Sequence, residues 1–333
     1  MSPRTRRLLP WLCLVIIYVV WGSTYLAIAV VVRELPPFAA GFLRFTIAGL
    51  IMTGIALVAD RAHGWPGTRQ LADYALVGAL LLGVGNGLVM WSEKSIPSGI
   101  AALIVATVPL WLTVLDGLRP NGQPWTVRAW LGAFIGLAGV ALVARPGAGG
   151  PGGQWGAVIA LQGATIAWTV GSLYAQSVPK RLPLFTAAAV EMLAGGALLG
   201  IESRVAGEDL GRIAQASSHA WLGLAYLVVF GSLVGFTAFA YCLNELPAST
   251  VGTYAYVNPV VAVLLGALIL DEPISAGLLA GGVLIVVAVV LTTVAKARQS
   301  RPRPEGTHER RVGRRDVERG AEHGAAEAAR PVR

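Results

Sequence analysis

The sequence predicts an all-α membrane protein with ten transmembrane helices in two inverted five-helix repeats. Three observations lead to this prediction: a very apolar composition, apolar stretches of bilayer-crossing length, and similarity between the two halves of the chain. The 333 residues are 55% hydrophobic and 13% charged, whereas soluble domains contain about 25% charged residues. A chain of this composition is expected to cover its apolar surface with lipid.

Charged residues concentrate at the C-terminal end of the chain. Residues 296–333 contain 11 Lys or Arg and 6 Asp or Glu. So polar a segment cannot bury a core, and we predict a disordered basic cytoplasmic tail. The net charge of +8 is therefore mostly a property of the tail and loops. No basic stripe with interleaved aromatic residues appears, so no nucleic-acid partner is expected.

Apolar stretches of membrane-spanning length follow one another along the chain. A hydrocarbon core of about 30 Å needs about 20 residues in a helix. The basic start could belong to a signal peptide, but nine further stretches favour a first membrane helix. The ten predicted spans are residues 11–32, 38–58, 74–91, 96–115, 129–144, 155–178, 184–201, 220–243, 246–270 and 274–295.

The orientation of these spans follows from the distribution of Lys and Arg in the loops, since cytoplasmic loops are enriched in both. If residues 1–10 are cytoplasmic, the segments on that side hold most of these residues. Both termini are therefore predicted to be cytoplasmic. Cys13 and Cys242 would lie near that reducing side, so we expect no disulfide and interpret both as small apolar fillers.

The two halves of the chain match each other at a nearly constant shift. The shift is 147 residues near the first spans, 150 in spans three and four, and 149 by span five. We predict repeats at residues 11–144 and 155–295, joined by a flexible glycine-rich linker at 145–154. The matched pairs include Trp21 with Trp168, Arg44 with Glu191, Trp91 with Tyr241, Pro97 with Pro247, Pro109 with Pro259, and Gln123 with Glu272.

An odd number of spans in each repeat gives the second copy the opposite orientation in the membrane. Inverted repeats of this kind occur in many secondary transporters, which hold their substrate near the bilayer midplane between the repeats. Alternating access would then need only a rocking of one half against the other.

Several motifs in order resemble those of the EamA family of the drug/metabolite transporter superfamily. They are "WGSTYLAI" at 21–28, "LPPFAAGFLRF" at 35–45, the paired prolines of spans four and nine, and "LILDEP" at 268–273 followed by "GGVLIV". The resemblance covers about residues 11–295. It implies a ten-helix carrier of the bacterial inner membrane, and many members export amino acids or other metabolites.

One position departs from the family pattern. The first repeat has Gln123 where the second has Glu272. This difference argues against a role for the pair and suggests that Asp271 and Glu272 mainly end the ninth span.

Two ionisable residues are predicted to lie well inside the membrane, where charges are costly and often functional. Arg44 would face the cavity and meet an anionic group, or its side chain would extend to the outer interface. Glu191 would face the cavity and meet a cation or proton, which would allow proton coupling. The alternative for Glu191 is an ion pair with Lys180 or Arg181.

Prolines inside two spans suggest local breaks in the helices. Pro109 and Pro259 remove backbone hydrogen bonds, and the freed carbonyls at membrane depth are tolerated where they line a cavity. The alternative is a kink that serves packing alone. Thr107, Tyr254 and Asn258 lie close by and are predicted to orient a small ligand, as could Tyr256.

Aromatic residues near the middle of spans complete the candidate substrate site. Trp21 and Trp168 lie about twelve residues into their spans, away from the interfacial belt where Trp is enriched. Each indole N–H needs a partner, which favours a cavity wall over lipid. Trp91 and Tyr241, with Asn86, are weaker candidates.

Together these features predict a secondary transporter for amino acids or drug-like amphipathic compounds, and the family resemblance implies transport in the export direction. The expected partners are a small-molecule substrate and membrane lipid, with the protein a monomer or homodimer. An intramembrane enzyme is disfavoured because no Ser–His pair, H-E-x-x-H helix or aspartate dyad is found at membrane depth. A membrane sensor or scaffold would need a signalling domain. No metal or cofactor is expected.

Overall fold

A computed structural model describes residues 3–61, 64, 66–119, 127–145, 155–178, 182–246 and 248–299. In this part of the chain the regular structure is entirely helical. The α-helices are α1 Pro3–Glu34, α2 Pro37–Ala59, α3 Thr68–Gly78, α4 Asn86–Ser92, α5 Ser98–Val105, α6 Val108–Asp116, α7 Val127–Val143, α8 Trp155–Ser177, α9 Leu184–Val205, α10 Gly211–Gln215, α11 Ser218–Tyr226, α12 Gly235–Glu245, α13 Ala248–Val251, α14 Tyr254–Ile269 and α15 Ala276–Gln299.

Seven helical segments in the described residues are long and apolar enough to cross a membrane, by length and composition. They are Leu8–Glu34, Pro37–Ala59, Thr68–Ser92, Ser98–Asp116, Trp155–Ser177, Leu184–Val205 and Ser218–Phe239. Shorter apolar helices, Trp130–Val143, Tyr254–Ile269 and Ala276–Leu291, overlap the other three predicted spans. The fold is therefore that of a multi-pass helical membrane protein.

Some sequence-based predictions concern residues outside the described part of the chain. These are most of the glycine-rich linker, the tail beyond Gln299, and Gln123, Lys180, Arg181 and Pro247. Contacts divide the chain into a compact unit, Met1–Ala295, and a second unit, Lys296–Arg333. Within the second unit only Lys296–Gln299 are described, and they are helical.

Helices α2 and α9 of the compact unit are in close contact. A Cβ atom built on Gly49 would lie 2.8 Å from the Leu193 side chain, and one on Gly196 would lie 2.9 Å from the Thr46 hydroxyl. Gly49 corresponds to Gly196, and Thr46 to Leu193, at the shift of 147. The two helices therefore contact each other through reciprocal positions. Their buried apolar residues include Phe45, Met52, Met192 and Leu199, none more than 1% exposed.

Two π-helices lie at matching places in the halves of the chain. Ala79–Gly85 separates α3 from α4, and Leu227–Val234 separates α11 from α12. Their first residues are 148 positions apart, within the range of shifts found in the sequence. A π-helix changes the register of the side chains that follow it and often occurs at functional sites.

The two proline-containing spans are both interrupted, but at different positions. Residues 106–107 separate α5 from α6, so that Pro109 lies in the first turn of α6, where a missing N–H is tolerated. In the other span residues 252–253 separate α13 from α14, and Pro259 lies inside α14. The second break therefore comes about one helical turn before the position that matches the first break. Pro259 does not lie at this break.

Acidic side chains accept hydrogen bonds from the first turns of helices distant in sequence. Glu208 accepts from the backbone N–H groups of Phe38 and Ala39 at 3.0 and 2.8 Å. Asp60, its counterpart at a shift of 148, accepts from the Thr186 N–H and hydroxyl, both at 2.8 Å. Each acid therefore satisfies N–H groups at the start of the matching helix in the other half, where the helix dipole also favours negative charge.

Two further acids act in the same way. Glu34 accepts hydrogen bonds from the Ser217 N–H and hydroxyl. Glu272 accepts from Ser98 and Gly99 at the start of α5. Asp271 adopts a φ of +55°, a left-handed conformation common after the end of a helix. Glu272 thus follows the end of α14, as the sequence suggested, and also caps another helix, which the sequence did not indicate.

Candidate functional site

A cavity of about 190 Å³ lies between the helices of the compact unit. Residues of α1, α2, α4, α5, α6, α8, α12 and α14 and of both π-helices line it. Both interrupted spans contribute, through residues 105–109 and 252–259. Eight of the residues singled out in the sequence line this cavity: Trp21, Arg44, Asn86, Pro109, Trp168, Tyr254, Asn258 and Pro259.

Trp21 forms an aromatic corner of the cavity. Its indole N–H donates to the Gly231 carbonyl oxygen at 3.2 Å, which supplies the partner that a central Trp requires. The Trp21 ring meets the Tyr254 ring edge-on at 5.2 Å between centroids and the Phe236 ring at 5.7 Å. The indole is therefore held in one orientation by a hydrogen bond and by ring contacts.

Both cavity tryptophans lie against glycines of the opposite half. A Cβ atom on Gly235 would come within 2.4 Å of the Trp21 Nε1 atom, and one on Gly85 would lie 3.6 Å from the Trp168 ring. The tryptophans correspond at a shift of 147 and the glycines at a shift of 150. The Trp21 indole therefore needs a glycine at position 235, whereas a Cβ atom at position 85 would be in ordinary van der Waals contact with the Trp168 ring.

Asn258 provides an amide group on α14. With its nitrogen facing two carbonyl oxygens, it donates to Tyr254 at 3.1 Å and to Tyr18 at 3.2 Å. Asn258 is buried and lines the cavity. Because both donated bonds go to the backbone, the amide oxygen is the atom left for other partners.

Arg44 brings a charge to the cavity wall. The side chain is 4% exposed, and its guanidinium lies 4.6 Å above the centre of the Phe45 ring. Its Nε donates to the Ser232 hydroxyl at 3.1 Å. Its buried Nη1 atom has no hydrogen-bond partner among the described residues. The second π-helix therefore orients both Trp21 and Arg44, through the consecutive residues Gly231 and Ser232.

Four predicted site residues do not line the cavity. The Trp91 side chain is 40% exposed on the surface of the protein. Thr107 is fully buried and donates its hydroxyl hydrogen to the Ile104 carbonyl at 2.7 Å. Glu191 is half-buried on α9, and Tyr241 is half-buried on α12. Asn86, a weaker candidate, does line the cavity and donates to the Leu81 carbonyl inside the first π-helix.

Glu93 is a buried acid that the sequence analysis did not identify. It is 6% exposed, and neither carboxylate oxygen has a hydrogen-bond partner among the described residues. Burial raises the pKa of the Glu93 carboxyl well above its usual range, and Glu272, Arg44 and Tyr25 are near enough to interact with it electrostatically. The apolar stretch ends at Trp91, so hydropathy placed Glu93 in a loop. The only sequence signal was an acid directly next to a span.

The described residues contain no group of three or more His, Cys, Asp or Glu that could hold a metal ion. The lining of the cavity is mostly apolar and aromatic, with a few polar groups from separate helices. This is the composition typical of small-molecule sites in proteins.

Apolar helices of bilayer length around an aromatic cavity define a helical multi-pass membrane protein with an internal cavity. The EamA-like transporter family matches this chain twice, over residues 9–145 and 154–294. The chain therefore belongs to the EamA-like transporter family, which confirms the resemblance found in the motifs.

Relatives of known name agree with this assignment. The inner membrane transporter YedA of Escherichia coli K12 is 42% identical over 297 residues, covering 88% of this chain and 94% of YedA. The transporter YvbV of Bacillus subtilis is 26% identical over 299 residues, covering 90% of this chain and 95% of YvbV. A protein crystal structure with 22% identity shares the fold at a TM-score of 0.62, over 87% of this chain and 98% of that one.

Proposed function

We propose that this protein is a secondary transporter that exports small amphipathic metabolites across the bacterial inner membrane by alternating access. Its substrate binds in the cavity between two inverted five-helix repeats, and both termini are cytoplasmic. Membership in a transporter family and the similarity to an inner membrane transporter support the general assignment. Amino acids and other compounds of similar size are the substrates we propose.

The observation that carries the proposal is the reciprocal construction of the cavity wall. Trp21 lies against Gly235, and the matching Trp168 lies against the matching Gly85. Inverted-repeat transporters place the substrate where the two repeats meet, and broken helices line that place. The breaks at 106–107 and 252–253 adjoin residues that line this cavity, which supports a substrate site at this place.

Reciprocal contacts elsewhere support the inverted arrangement. The capping acids Asp60 and Glu208 each bind the first turn of the helix that matches the other's target. The glycine contacts of α2 and α9 follow the same exchange. In a protein with two-fold related halves, each contact between the halves has a symmetry-related counterpart. A chain without internal symmetry has no reason to contain such pairs.

The volume of the cavity restricts the size of the substrate. At about 190 Å³ it is smaller than the roughly 300–1,000 Å³ of sites for drug-sized ligands. We therefore favour metabolites of about amino-acid size over larger drug-like compounds.

A resistance screen tests the proposal directly. Cells that overproduce the protein should survive otherwise toxic concentrations of its substrates, across a panel of amino acids, their analogues and small drugs. The matched strain producing Trp168→Ala should lose the resistance while its membranes contain the same amount of protein. A panel in which neither strain differs from cells without the protein would contradict export of this class of compound.

Reporter fusions test the topology separately. Fusions at Arg61, Lys180 and Gly306 should report the cytoplasm, and a fusion at Gly149 should report the opposite side, because five spans precede it. A cytoplasmic signal at Gly149 would contradict the inverted repeat.

A further inference from the structure

The Arg44 guanidinium is a buried positive charge without a full set of partners. Arg stays protonated in proteins, so this site keeps its charge. The Ser232 hydroxyl and the Phe45 ring contact it, and its Nη1 atom has no hydrogen-bond partner in the described part of the chain. A buried charge is costly unless it is paired and hydrogen-bonded. This arginine therefore has an unused capacity to bind an anion.

Glu93, a buried acid near Arg44, does not form an ion pair with it. Glu93 is near enough for the two side chains to interact electrostatically. Yet no ion pair within 4.0 Å joins them in the described residues, and both Glu93 oxygens lack hydrogen-bond partners. The two buried side chains therefore lie near each other without a direct contact. The ordinary bidentate partner of a guanidinium, a carboxylate in its plane, is missing here.

Arg44 belongs to the cavity lining, whereas Glu93 does not. Among the described residues that line the cavity, no Asp or Glu accompanies this arginine. An anionic group that enters the cavity would meet a positive charge with donor capacity to spare, and an ammonium group would meet no carboxylate. The charge of the site is therefore one-sided.

The remainder of the wall suits an apolar body attached to that anionic group. Trp21, Trp168, Phe236 and Tyr254 present aromatic surface. Rings of this kind contribute large apolar contact areas and tolerate stacking with a flat ligand. The volume of about 190 Å³ leaves room for one small organic molecule.

We infer that the cavity selects small organic anions that carry one carboxylate-like group and an apolar or aromatic body, with Arg44 as the anion-binding residue. This inference rests on the proposed function and narrows its substrate class. It ranks ligands by charge: anions bind better than zwitterions, and cations bind worst.

Three probes with the same phenyl ring and different charges test this inference. 3-Phenylpropionate is an anion, phenylalanine a zwitterion and 2-phenylethylamine a cation at neutral pH. Binding to the purified full-length protein in lipid nanodiscs should fall in that order. Equal binding of the three, or tighter binding of the amine, would overturn the inference.

Variants of Arg44 assign the preference to this residue. Arg44→Gln should weaken 3-phenylpropionate binding by about tenfold or more, since a charge-assisted hydrogen bond is lost. It should leave 2-phenylethylamine binding unchanged or stronger. Arg44→Lys, which keeps the charge, should retain the order of the probes at lower affinity. An unchanged order in Arg44→Gln would contradict the inference.

Glu93→Gln provides a matched control beside Arg44. Glu93 does not line the cavity, and its burial disfavours the charged form of the carboxyl, so this variant should keep the order of the three probes. A lost or reversed order in Glu93→Gln would contradict the assignment of the preference to Arg44. Where Arg44→Gln does not fold, the order of the three probes in the wild-type protein and in Arg44→Lys tests the inference.

The outcomes distinguish this inference from the proposed function. If the wild-type protein transports one of the probes in proteoliposomes with no charge preference, the transporter assignment stands and the anion selectivity is wrong. If none of the three probes binds or is transported, and the resistance screen is also negative, both are contradicted.

Discussion

The middle of α2 and the middle of α9 correspond at a shift of 147 residues, and each contains an ionisable residue that hydropathy places inside the membrane. On α2, Arg44 lines the cavity and has a buried nitrogen without a hydrogen-bond partner in the described residues. On α9, Glu191 lies at a close contact with α3, where its backbone meets Gly78. The two residues thus hold matching positions in their helices, but only Arg44 lines the cavity.

This difference shows that the neighbouring helix decides the role of a charged residue in a span. Next to Arg44 the second π-helix supplies Gly231 and Ser232, which leave space and one polar partner. Next to Glu191 the backbone of α3 approaches so closely that only glycine fits at position 78. Matching positions in the two halves can therefore diverge, one lining a cavity and the other lying at a close helix contact.

The largest effect is expected from a methyl group at the α9 contact. A Cβ atom on Gly78 would lie 2.1 Å from the Glu191 carbonyl oxygen, and backbone atoms cannot yield as a side chain can. Gly78→Ala should destabilise the protein by about 3 kcal/mol or more, the upper range for overpacking. Thermal unfolding in detergent, monitored by size-exclusion chromatography, measures it.

Gly54→Ala on α2 is the matched control, because nothing lies within 4 Å of the added atom. It should be neutral or slightly stabilising, since alanine favours a helix by about 0.5–1 kcal/mol. Equal stability of the two variants would show that α3 and α9 are not in such close contact.

A smaller effect, on transport rather than folding, is expected at the cavity tryptophans. Trp168→Ala removes part of the cavity wall and should lower transport by about tenfold, which corresponds to about 1.4 kcal/mol. Trp91→Ala removes an indole that is 40% exposed and does not line the cavity, and should change transport little. An equal loss of transport in both variants would indicate that Trp91 also contributes to the substrate site, and would contradict the assignment of the site to this cavity.

The comparison of α2 with α9 is sharpened by neutralising Glu191. We propose a packing role for this residue, so Glu191→Gln should keep the substrate charge preference and the pH dependence of transport of the wild-type protein. Transport into proteoliposomes over a range of external pH measures both. A displaced pH dependence would instead support the alternative in which Glu191 carries the coupled proton.

Modest effects on stability are expected at the reciprocal caps. Asp60→Asn and Glu208→Gln each weaken hydrogen bonds to the first turn of a helix, and should each cost about 0.5–2 kcal/mol. Asp209→Asn is a suitable control because the Asp209 carboxylate accepts a hydrogen bond from the nearby Gly211 N–H at an exposed turn. A loss confined to one of the two caps would indicate that the halves are less alike than the structure suggests.

The sequence was sufficient for the helical membrane class, because repeated apolar stretches of bilayer length are typical of membrane-spanning helices. It also placed Trp21, Trp168, Tyr254 and Asn258 at the cavity, since central aromatic and polar residues in spans need partners. These inferences depend on composition and depth, which can be counted along a chain.

What the sequence could not provide were features that depend on packing between distant helices. The segments that form the π-helices contain no proline or charged residue from which a change of helix type could be predicted. The caps formed by Glu34 and Glu272 need knowledge of which helix begins beside them. The same holds for Glu93, which became a buried acid only because the end of α4 is covered by other helices.

The most direct test of the central claim, that this cavity binds the substrate, is ligand protection of a cysteine in its wall. Ala255 lines the cavity, whereas Ala280 on α15 is exposed and does not line it. With Cys13 and Cys242 replaced by Ala, single variants Ala255→Cys and Ala280→Cys would be treated with a maleimide. We predict that 3-phenylpropionate or phenylalanine slows labelling at position 255 and leaves position 280 unchanged. The claim would be contradicted if labelling at position 255 is slowed by neither of these probes and by no compound found to be transported in the resistance screen.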